Sequence, residues 1–411
     1  MAIDQRIIDE VLAQSDIVQL ISGYIPLKRA GANYKARCPF HQEKTASFMV
    51  SPQKQIFHCF GCGEGGNVFS FLMKYENMTF PDAVRYLAEK ANIHIPENRR
   101  VSQEKVSRAK RIKDLFRAAK DYYHALYCHE KAGAAARDYC HGKRGLTPAM
   151  AEQFSIGYAR EAWGDLFEYL QKKGFSPELI FASGLVLRSS RGTAYDFFRD
   201  RVVFPIISVR DTVVGFGGRT LGSDEPKYIN TPETEFFRKR CELYGLNFAR
   251  RAIHEWGDTV LVVEGYLDVI ALHQAGIPNV VAPLGTALTR EHVRLLRRYG
   301  EKVIMVFDGD AAGIQAALKS VNTFLAEEMH AEVVTLPEGY DPDSFVKEHG
   351  KDSFLLRLDS AQDVFDFKLN CLLRQHDQTG SFGLMKITGA MLETISIVKS
   401  AVLRDRYIQR L

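Results

Sequence analysis

The sequence predicts a multidomain protein of the α+β and α/β classes. We expect an N-terminal zinc ribbon, a mixed α+β region, a parallel α/β sheet of Rossmann-like type and a small C-terminal helical bundle. Three observations predict this order: paired Cys/His residues near the N-terminus, apolar strands alternating with helix-length segments in residues 257–358, and a helical apolar pattern over 359–411. A length of 411 residues with 46% hydrophobic composition is ample for several packed cores.

Four residues near the N-terminus have the spacing of a zinc site. Cys38 and His41 form one pair and Cys59 and Cys62 the other, with two residues inside each pair and seventeen between the pairs. A tetrahedral zinc ion prefers thiolate and imidazole ligands, and short pairs of this kind close on one ion from two tight turns. The spacing favours one structural Zn²⁺ within residues 1–98. A reduced, buried cysteine cluster without metal is the alternative.

The composition argues against secreted and membrane proteins. Seven cysteines are an odd number, and the four outside the zinc pairs are scattered, unlike a disulfide framework. The first twenty residues lack the apolar core of a signal peptide, and no later apolar run approaches the roughly 20 residues needed to span a bilayer. We therefore expect a soluble, cytoplasmic protein.

Charge is distributed unevenly along the chain. Residues 258–360 carry 16 Asp or Glu against 9 Lys or Arg, although the whole chain has a net charge of +4. Regions of opposite sign suit an enzyme that holds cations in one place and a polyanion in another. An uneven solvated surface is the simpler interpretation of charge alone.

The middle of the chain predicts a linker followed by a mixed domain. Residues 99–111 lack apolar periodicity and are rich in charge, which favours a linker; a solvated face and contact with a nucleic-acid backbone are both open for its basic residues. Apolar positions in 112–127 then fit one helix face. Residues 197–208 and 212–216 are rich in β-branched and aromatic residues, so a sheet completes a domain over 112–256.

Residues 257–358 have the alternation of an α/β unit. The predicted strands are 259–263, 279–282, 302–307 and 331–336, with segments of helical length between them. Strands that are apolar on both faces form a parallel sheet covered by helices. In such sheets, sites form beyond the carboxyl ends of the strands.

Acidic residues gather where these strands end. They are Glu264 and Asp268 after the first strand, Asp308 and Asp310 after the third, and Asp341 and Asp343 after the fourth. Alternate residues of an extended segment share a side, so Asp308 and Asp310 can face one ion. Crowded carboxylates stay ionised only if a cation neutralises them, and Mg²⁺ or Mn²⁺ prefers oxygen ligands. We interpret Glu264, Asp308 and Asp310 together as a divalent-metal site for phosphoryl chemistry, although each acid alone is better explained as a helix cap or surface carboxylate.

Basic and aromatic residues interleave upstream of the acids. Lys227, Tyr228 and Asn230 lie in one stretch, and Lys239 lies in a second, between two arginines and after two phenylalanines. Lys and Arg hold phosphates, whereas bases and sugars pack on aromatic rings. Arg219 follows two glycines, where a ligand can approach the backbone. These residues predict a phosphate or nucleic-acid surface, with a charged surface loop as the alternative.

Taken together, the motifs resemble a known family. Cys38-Pro39-Phe40-His41 and Phe57-His58-Cys59-Phe60-Gly61-Cys62 are similar to the CHC2 zinc domain of bacterial DnaG-type DNA primases. Residues 263–268 with Asp308-Gly309-Asp310 resemble the Toprim motif. Residues 216–219 and 227–246 resemble the basic polymerase region of the same family, and the resemblance covers essentially the whole chain in order.

The resemblance implies a DNA primase, a nucleotidyltransferase that makes short RNA primers from ribonucleoside triphosphates on single-stranded DNA at bacterial replication forks. Glu264 would assist deprotonation of the primer 3′-hydroxyl or join the metal shell, and Asp308 and Asp310 would hold Mg²⁺ or Mn²⁺. The supporting ligands would be Asp268, Asp341 and Asp343, and the residues binding triphosphate and template-primer hybrid would be Arg219, Lys227, Tyr228, Asn230 and Lys239. The zinc domain would contact the template.

The implied domains are a zinc-binding domain (1–98), a linker (99–111), the N-terminal part of an RNA polymerase domain (112–256), a Toprim subdomain (257–358) and a helical subdomain (359–411). The family's C-terminal helicase-binding domain is absent after Leu411, where the chain stops within the helical periodicity, which puts docking to the replicative helicase of the full-length family in doubt. We expect a monomer, and both a truncated chain and a naturally short one stay open.

Two other functions stay open. A Toprim-type enzyme that cleaves DNA strands would use the same acids, but its topoisomerase form needs a transesterifying tyrosine, and nothing marks one of the 17 tyrosines for that role. A non-catalytic zinc ribbon that binds single-stranded DNA would leave the acids without a use.

Overall fold

The computed structural model describes residues 5–41, 43, 45–76, 78–91, 93, 99–223, 225–378 and 380–411; for residues 99–106, 311 and 312 it describes the backbone only. By its internal contacts, the chain divides into two units, Met1–Val106 and Ser107–Leu411. Among the described residues, no helix combines the length and the apolar character that a membrane span requires.

The first unit contains an antiparallel sheet of order β1-β2-β3-β4-β5. Its strands are β1 (Lys28–Ala30), β2 (Asn33–Ala36), β3 (Phe48–Ser51), β4 (Ile56–Cys59) and β5 (Gly65–Gly66), and its helices are α1 (Gln5–Gln14), α2 (Ile17–Ser22), α3 (Val68–Tyr75) and α4 (Phe80–Lys90). The core is aromatic: the rings of Phe48 and Phe57 stack with centroids 5.1 Å apart, and Phe71 of α3 meets Phe57 edge-on at 5.8 Å. This packing holds the β3–β4 hairpin against α3.

Helix α5 (Arg99–Cys128) runs across the boundary between the two units. The segment 99–111 is helical throughout, and the boundary between the two units falls within it; its role as a linker stays a prediction. Residues 107–111 are all exposed, so they have no buried face to create an apolar period. Lys, Arg and Gln are nevertheless good helix formers, so the absence of periodicity indicated exposure and not an irregular chain.

The second unit begins with an antiparallel sheet of order β11-β10-β9-β6 and a separate β7-β8 ribbon. The strands are β6 (Gly157–Ala159), β7 (Val186–Arg188), β8 (Ala194–Asp196), β9 (Arg201–Ile207), β10 (Val213–Thr220) and β11 (Tyr228–Asn230). The helices are α6 (Ala134–Arg137), α7 (Pro148–Gln153), α8 (Asp165–Lys172), α9 (Pro177–Ala182) and α10 (Leu246–Glu255), with a π-helical turn at Asp138–Lys143 and a 3₁₀ turn at Lys239–Cys241. The paired strands β9 and β10 are almost entirely buried, which explains their β-branched and aromatic composition.

A second sheet follows, in the order β13-β12-β14-β15-β16. Its strands are β12 (Thr259–Val262), β13 (Val280–Val281), β14 (Lys302–Phe307), β15 (His330–Thr335) and β16 (Gln362–Asp363), with helices α11 (Tyr266–Gln274), α12 (Arg290–Leu296), α13 (Ala311–Ala326) and α14 (Pro342–Leu358). The four predicted strands are confirmed as parallel neighbours. Helices α15 (Val364–Gln375), α16 (Ser381–Ser396) and α17 (Ala401–Arg410) complete the chain.

Strand β16 was not predicted, because 359–411 was assigned to helices alone. It pairs antiparallel with β15, joining Glu332 to Asp363 and Val333 to Gln362. Two residues are too few to leave a period-2 pattern, so the sequence carries no signal for this edge strand.

Candidate active site and zinc centre

The four predicted zinc ligands converge in the first unit. One donor atom from each of Cys38, His41, Cys59 and Cys62 lies within 4.8 Å of the others. Cys38 Sγ lies 3.8 Å from Cys62 Sγ, and Cys59 Sγ lies 3.7 Å from His41 Nδ1. Sulfur and nitrogen ligands at about 2.3 Å and 2.1 Å from one tetrahedral ion would have separations of this size.

Neighbouring groups hold these ligands in place. The backbone N–H of Gly61 donates to Cys59 Sγ at 3.3 Å, and Glu43 accepts from the Cys38 backbone N–H at 2.7 Å. Glu43 also lies 3.4 Å from His41 Nε2, which leaves Nδ1 to face the sulfurs. A Cβ at Gly61 would lie only 2.6 Å from His41 Nε2, so a side chain there would displace the imidazole. The residues therefore fit Zn²⁺ in a closed Cys₃His site.

The parallel sheet brings the predicted acids to one edge. Glu264 lies just beyond β12 and Asp308 just beyond the neighbouring β14. Because β12 and β14 pair in parallel, with Val262 opposite Met305, their carboxyl ends lie side by side. Asp310 caps the N-terminus of α13 and Asp341 caps that of α14. In each case the carboxylate Oδ1 accepts a hydrogen bond from a backbone N–H in the first turn of the helix, at 2.7 Å. Each cap uses one carboxylate oxygen, so the helix-cap interpretation holds for both without excluding a bound cation.

Burial and mutual repulsion raise the pKa values of these acids. Burial first, and then the charges of Glu264, Asp341 and Asp310, raise the pKa of Asp308 to about 7. Burial, Asp341 and Asp308 raise the pKa of Asp268 well above its ordinary value. Burial and Asp310 likewise raise the pKa of Glu264, although the Asp308 N–H opposes the change. Repulsion of this kind is what a divalent cation relieves.

One buried oxygen supports the same interpretation. Asp308 Oδ1 is buried and has no hydrogen-bond partner among the described residues. An unpaired buried acceptor is costly, and a cation would satisfy it. The acids are more widely spaced than the zinc ligands, since within the described part of the chain their donor atoms do not form a group within 4.8 Å. The oxygen donors therefore fit Mg²⁺ or Mn²⁺ in an open site and not a closed cage.

Asp343 is engaged differently from the other acids. Its side chain is buried, with Arg144 Nη1 at 3.0 Å from Oδ2 and Lys347 Nζ at 2.5 Å from Oδ1. Both oxygens therefore face cations of the chain itself. A ligand role for Asp343 stays a prediction, and it would require one of these ion pairs to open.

The predicted basic and aromatic surface lies on β10 and β11. Arg219 pairs with Tyr228 across these antiparallel strands. The guanidinium of Arg219 lies 4.2 Å from the centroid of the Tyr139 ring and 5.7 Å from that of Tyr228. Tyr228 is 37% exposed and Lys227 is exposed, whereas Arg219 is buried. The arginine is thus held between two rings while its neighbours face solvent.

Tyr266 joins this strand pair to the acid site. Its hydroxyl donates to Asn230 Oδ1, and Asn230 Nδ2 donates to the carbonyl of Leu284 at 2.9 Å. A Cβ at Gly217 would lie 2.4 Å from the Tyr266 ring, so glycine provides the space for it. Because Tyr266 follows Glu264 by two residues, this contact fixes β11 beside the carboxylate. Asn230 therefore connects β11 to Tyr266 and Leu284, independently of any ligand that it binds.

Lys239 lies apart from the other predicted basic residues, in the 3₁₀ turn. Its backbone N–H donates to Glu233 Oε1 at 2.8 Å, and its carbonyl accepts from His292 Nε2 at 2.8 Å. These bonds fix the backbone of the turn and leave the lysine side chain half-buried.

Sequence reasoning missed Tyr139 and Arg144. Arg144 Nε donates to the Tyr139 hydroxyl at 2.7 Å, which connects the Arg219 stack to the Arg144–Asp343 ion pair. Arg144 and Lys143 lie between two glycines, a signal that could have identified this basic pair. Nothing in the sequence distinguishes Tyr139 from other tyrosines.

A cavity of about 460 Å³ opens beside Glu264. The loop after β13 lines it with Gly285 and Thr286, and α13 lines it with Gln315 and Lys319. Small-molecule sites commonly have volumes of about 300–1,000 Å³, so a nucleotide-sized ligand would fit beside the carboxylate.

Three family profiles match the chain in order. The CHC2 zinc finger matches residues 3–103, the N-terminal domain of the DNA primase catalytic core matches 122–250, and the Toprim domain matches 258–335. The chain is 39% identical to the DNA primase of Clostridium acetobutylicum over 413 residues, covering 100% of this chain and 68% of that protein. It is 42% identical to the DNA primase of Pseudomonas aeruginosa, covering 96% and 60% respectively.

Solved structures show the same relationship. One is the crystal structure of the Aquifex aeolicus primase, which contains the zinc binding and RNA polymerase domains. Its sequence is 34% identical to this chain, and the two structures superpose with a TM-score of 0.64 over 99% of this chain and 95% of that one. The DnaG primase catalytic domain bound to ssDNA is 36% identical, with a TM-score of 0.67 and coverage of 74% and 96%. This chain therefore belongs to the family of bacterial DnaG-type DNA primases, which are DNA-directed RNA polymerases that synthesise RNA primers.

Proposed function

We propose that this chain joins ribonucleoside triphosphates into short RNA primers on a single-stranded DNA template by nucleotidyl transfer at the acid cluster. The observation that carries the proposal is the pairing of β12 with β14, which puts Glu264 and Asp308 at neighbouring strand ends, where burial and neighbouring carboxylates raise the pKa of Asp308 to about 7. Carboxylates arranged in this way favour a divalent cation over protons or solvent.

Asp308 and Asp310 would hold Mg²⁺ or Mn²⁺, with Asp268 and Asp341 in support. Bound divalent cations stabilise the attacking and leaving oxygens of a phosphoryl transfer. The unpaired Oδ1 of Asp308 and the second oxygen of Asp310 are the donors that the fold leaves for this task. Because both residues belong to the end of one strand and the start of one helix, their positions are set by rigid elements.

Glu264 would accept the proton of the primer 3′-hydroxyl or complete the metal shell. Its side chain reaches solvent and lines the cavity, so a substrate hydroxyl can approach it. The raised pKa of Glu264 brings the carboxylate closer to the working pH, where a general base is most effective.

Arg219, Lys227 and Tyr228 would bind the triphosphate and the template-primer hybrid. A guanidinium held over aromatic rings is already oriented for phosphate oxygens, and exposed rings accept stacked bases. Asn230 and Lys239 belong to the same predicted surface, and the zinc domain would contact the template. The similar catalytic domain bound to ssDNA supports a single-stranded template here.

A primer-synthesis assay tests the proposal. The chain is incubated with single-stranded DNA, four ribonucleoside triphosphates and Mg²⁺, and oligoribonucleotides are resolved by length. We expect Asp310→Asn to lower the rate by about 1,000-fold or more, because a cation ligand that stabilises transition-state charge is worth several kcal/mol. Removal of Mg²⁺ with a chelator should have the same effect.

Asp352→Asn is the matched control, because Asp352 is an exposed acid of α14, within the same unit. Full synthesis by Asp310→Asn, with unchanged melting temperature, would contradict the metal assignment. Nicking of supercoiled DNA without nucleotides would instead support a strand-cleaving enzyme.

A further inference from the structure

A second group of metal-type ligands lies in the second unit, outside the sites already described. It consists of His124 and Cys128 on the last turns of α5 and Glu152 on α7. One donor atom from each residue lies within 4.8 Å of the others. His124 Nε2 lies 3.0 Å from Glu152 Oε2 and 3.6 Å from Cys128 Sγ. The imidazole nitrogen is therefore the centre of the group.

A backbone carbonyl determines which nitrogen of His124 faces the other two ligands. His124 Nδ1 lies 2.8 Å from the carbonyl oxygen of Ile156. A carbonyl can only accept, so Nδ1 carries a proton, and a neutral ring in this tautomer presents the lone pair of Nε2 to Cys128 and Glu152. Metal-bound histidines commonly donate their second N–H in this way, which fixes the ring and its tautomer.

The observed separations agree with a tetrahedral ion. Zinc binds sulfur at about 2.3 Å and imidazole nitrogen or carboxylate oxygen at about 2.1 Å. At a tetrahedral angle, these bond lengths place sulfur about 3.6 Å from nitrogen and nitrogen about 3.4 Å from oxygen. The Cys128–His124 separation of 3.6 Å matches this value, and the His124–Glu152 separation of 3.0 Å is slightly shorter. An ion would thus need only small side-chain movements.

The local fold explains why the ligands converge. His124 and Cys128 are four residues apart on one helix, so they lie on the same face, the spacing by which paired helical ligands bind zinc. Glu152 comes from a different helix, but the segment that follows it supplies the Ile156 carbonyl that orients His124. A bound ion would therefore cross-link α5 to α7.

Repulsion within the group also favours a cation. With Nδ1 protonated, the Nε2 lone pair of a neutral ring faces the Glu152 carboxylate, and both are acceptors. A proton or a metal ion between them removes this repulsion. A proton shared with Glu152 accounts for the His124–Glu152 pair and a thiol proton accounts for the Cys128–His124 pair, whereas one metal ion accounts for both contacts at once.

We propose that His124, Cys128 and Glu152 form a second transition-metal site, which takes a zinc-class cation with water as the fourth ligand. Cys128 and Glu152 are exposed, so the fourth position is open to solvent. The bound ion would brace the end of α5 against α7. This proposal is independent of the function proposed for the acid cluster.

The test is a Co²⁺ titration of the full chain after its ribbon has been loaded with Zn²⁺. Tetrahedral Co²⁺ bound by a thiolate absorbs visible and near-ultraviolet light, so we expect one equivalent to develop a sulfur-to-cobalt band that added Zn²⁺ removes. Cys128→Ser should abolish the band and weaken binding at least about tenfold, and His124→Gln should weaken binding similarly. Zn²⁺ should also raise the melting temperature of the second unit, and Cys128→Ser should remove that increase.

Cys241→Ser is the control, because Cys241 is also exposed and belongs to neither cluster. Because Cys128 is exposed, its replacement should leave folding intact, which circular dichroism checks. The proposal is overturned if no sulfur-to-cobalt band develops at millimolar cobalt, or if Cys128→Ser retains both the band and the affinity. A band lost equally in Cys241→Ser would also overturn it.

Discussion

The Cys/His cluster of the first unit and the acid cluster of the second differ in how closely their side chains already approach the geometry of a bound cation. The zinc ligands lie within 4.8 Å of one another, and Gly61 N–H and Glu43 hold them. The acids are spread more widely, cap helices, and raise one another's pKa values. A closed site keeps its ion permanently, whereas an open site of repelling oxygens can exchange cations and admit substrate. The comparison distinguishes a site suited to a structural ion from a site suited to the catalytic ion proposed above.

Loss of the zinc ion should have the largest effect on folding. We expect Cys59→Ser to lose Zn²⁺ and unfold the first unit, because structural zinc contributes about 10–16 kcal/mol of binding free energy in small domains. Bound zinc and amide hydrogen exchange in each unit measure this. Cys371→Ser, at a half-buried cysteine of α15, should change neither quantity. If the first unit of zinc-free Cys59→Ser kept the amide-exchange protection of the unmodified chain, the structural role of zinc would be contradicted.

Loss of one acid should affect catalysis and not folding. Glu264→Gln should lower the rate of primer synthesis by about 10²–10⁴-fold, the usual contribution of a general base. Its melting temperature without metal should not fall, because the substitution removes repulsion. The control is Glu301→Gln, since Glu301 is an exposed acid just before β14, at the opposite end of that strand. A rate within threefold of the unmodified chain would exclude Glu264 from the chemistry.

Replacing a partner of the Arg144–Asp343 ion pair tests whether this pair stabilises the fold next to the acid cluster. Arg144→Met should lower the free energy of unfolding by about 1.5–3 kcal/mol, because it leaves buried Asp343 with Lys347 alone. Denaturant unfolding measures the loss. Arg298→Met, at an exposed arginine, should stay within about 0.5 kcal/mol. Combining Arg144→Met with Asp343→Asn should recover part of the loss, and simple additivity would argue against the pair.

Competition between protons and Mg²⁺ at Asp308 should give the smallest of these effects. The folded pKa of Asp308 is raised from 3.8 to about 7, so its contribution to stability is complete below pH 3.8 and is lost as pH rises through about 7. In the metal-free protein this group therefore destabilises the fold at neutral pH, and Mg²⁺ should restore stability. Below pH 7, the affinity for Mg²⁺ should fall by about tenfold per pH unit for each proton displaced. Calorimetric dissociation constants from pH 5.5 to 8 that do not change would contradict this.

The metal-type residues could be predicted because their signals are local. Zinc spacing is a property of short segments, and the carboxyl-edge rule places Glu264 and Asp308 once the apolar strands are recognised. The partners of these residues could not be predicted in the same way. Asp343 meets Arg144 across 199 residues of sequence, and Asn230 of β11 meets Tyr266 at the start of helix α11. Pairings of this kind depend on tertiary packing, which leaves no period in the sequence.

The close approach of Gly217 to Tyr266 has a consequence for how this enzyme can vary. A single methyl group on that strand would push the aromatic ring, and with it the turn that carries Glu264, while every charged and metal-binding side chain stayed the same. The position of Glu264 is thus sensitive to substitution at a glycine that has no polar or charged group of its own.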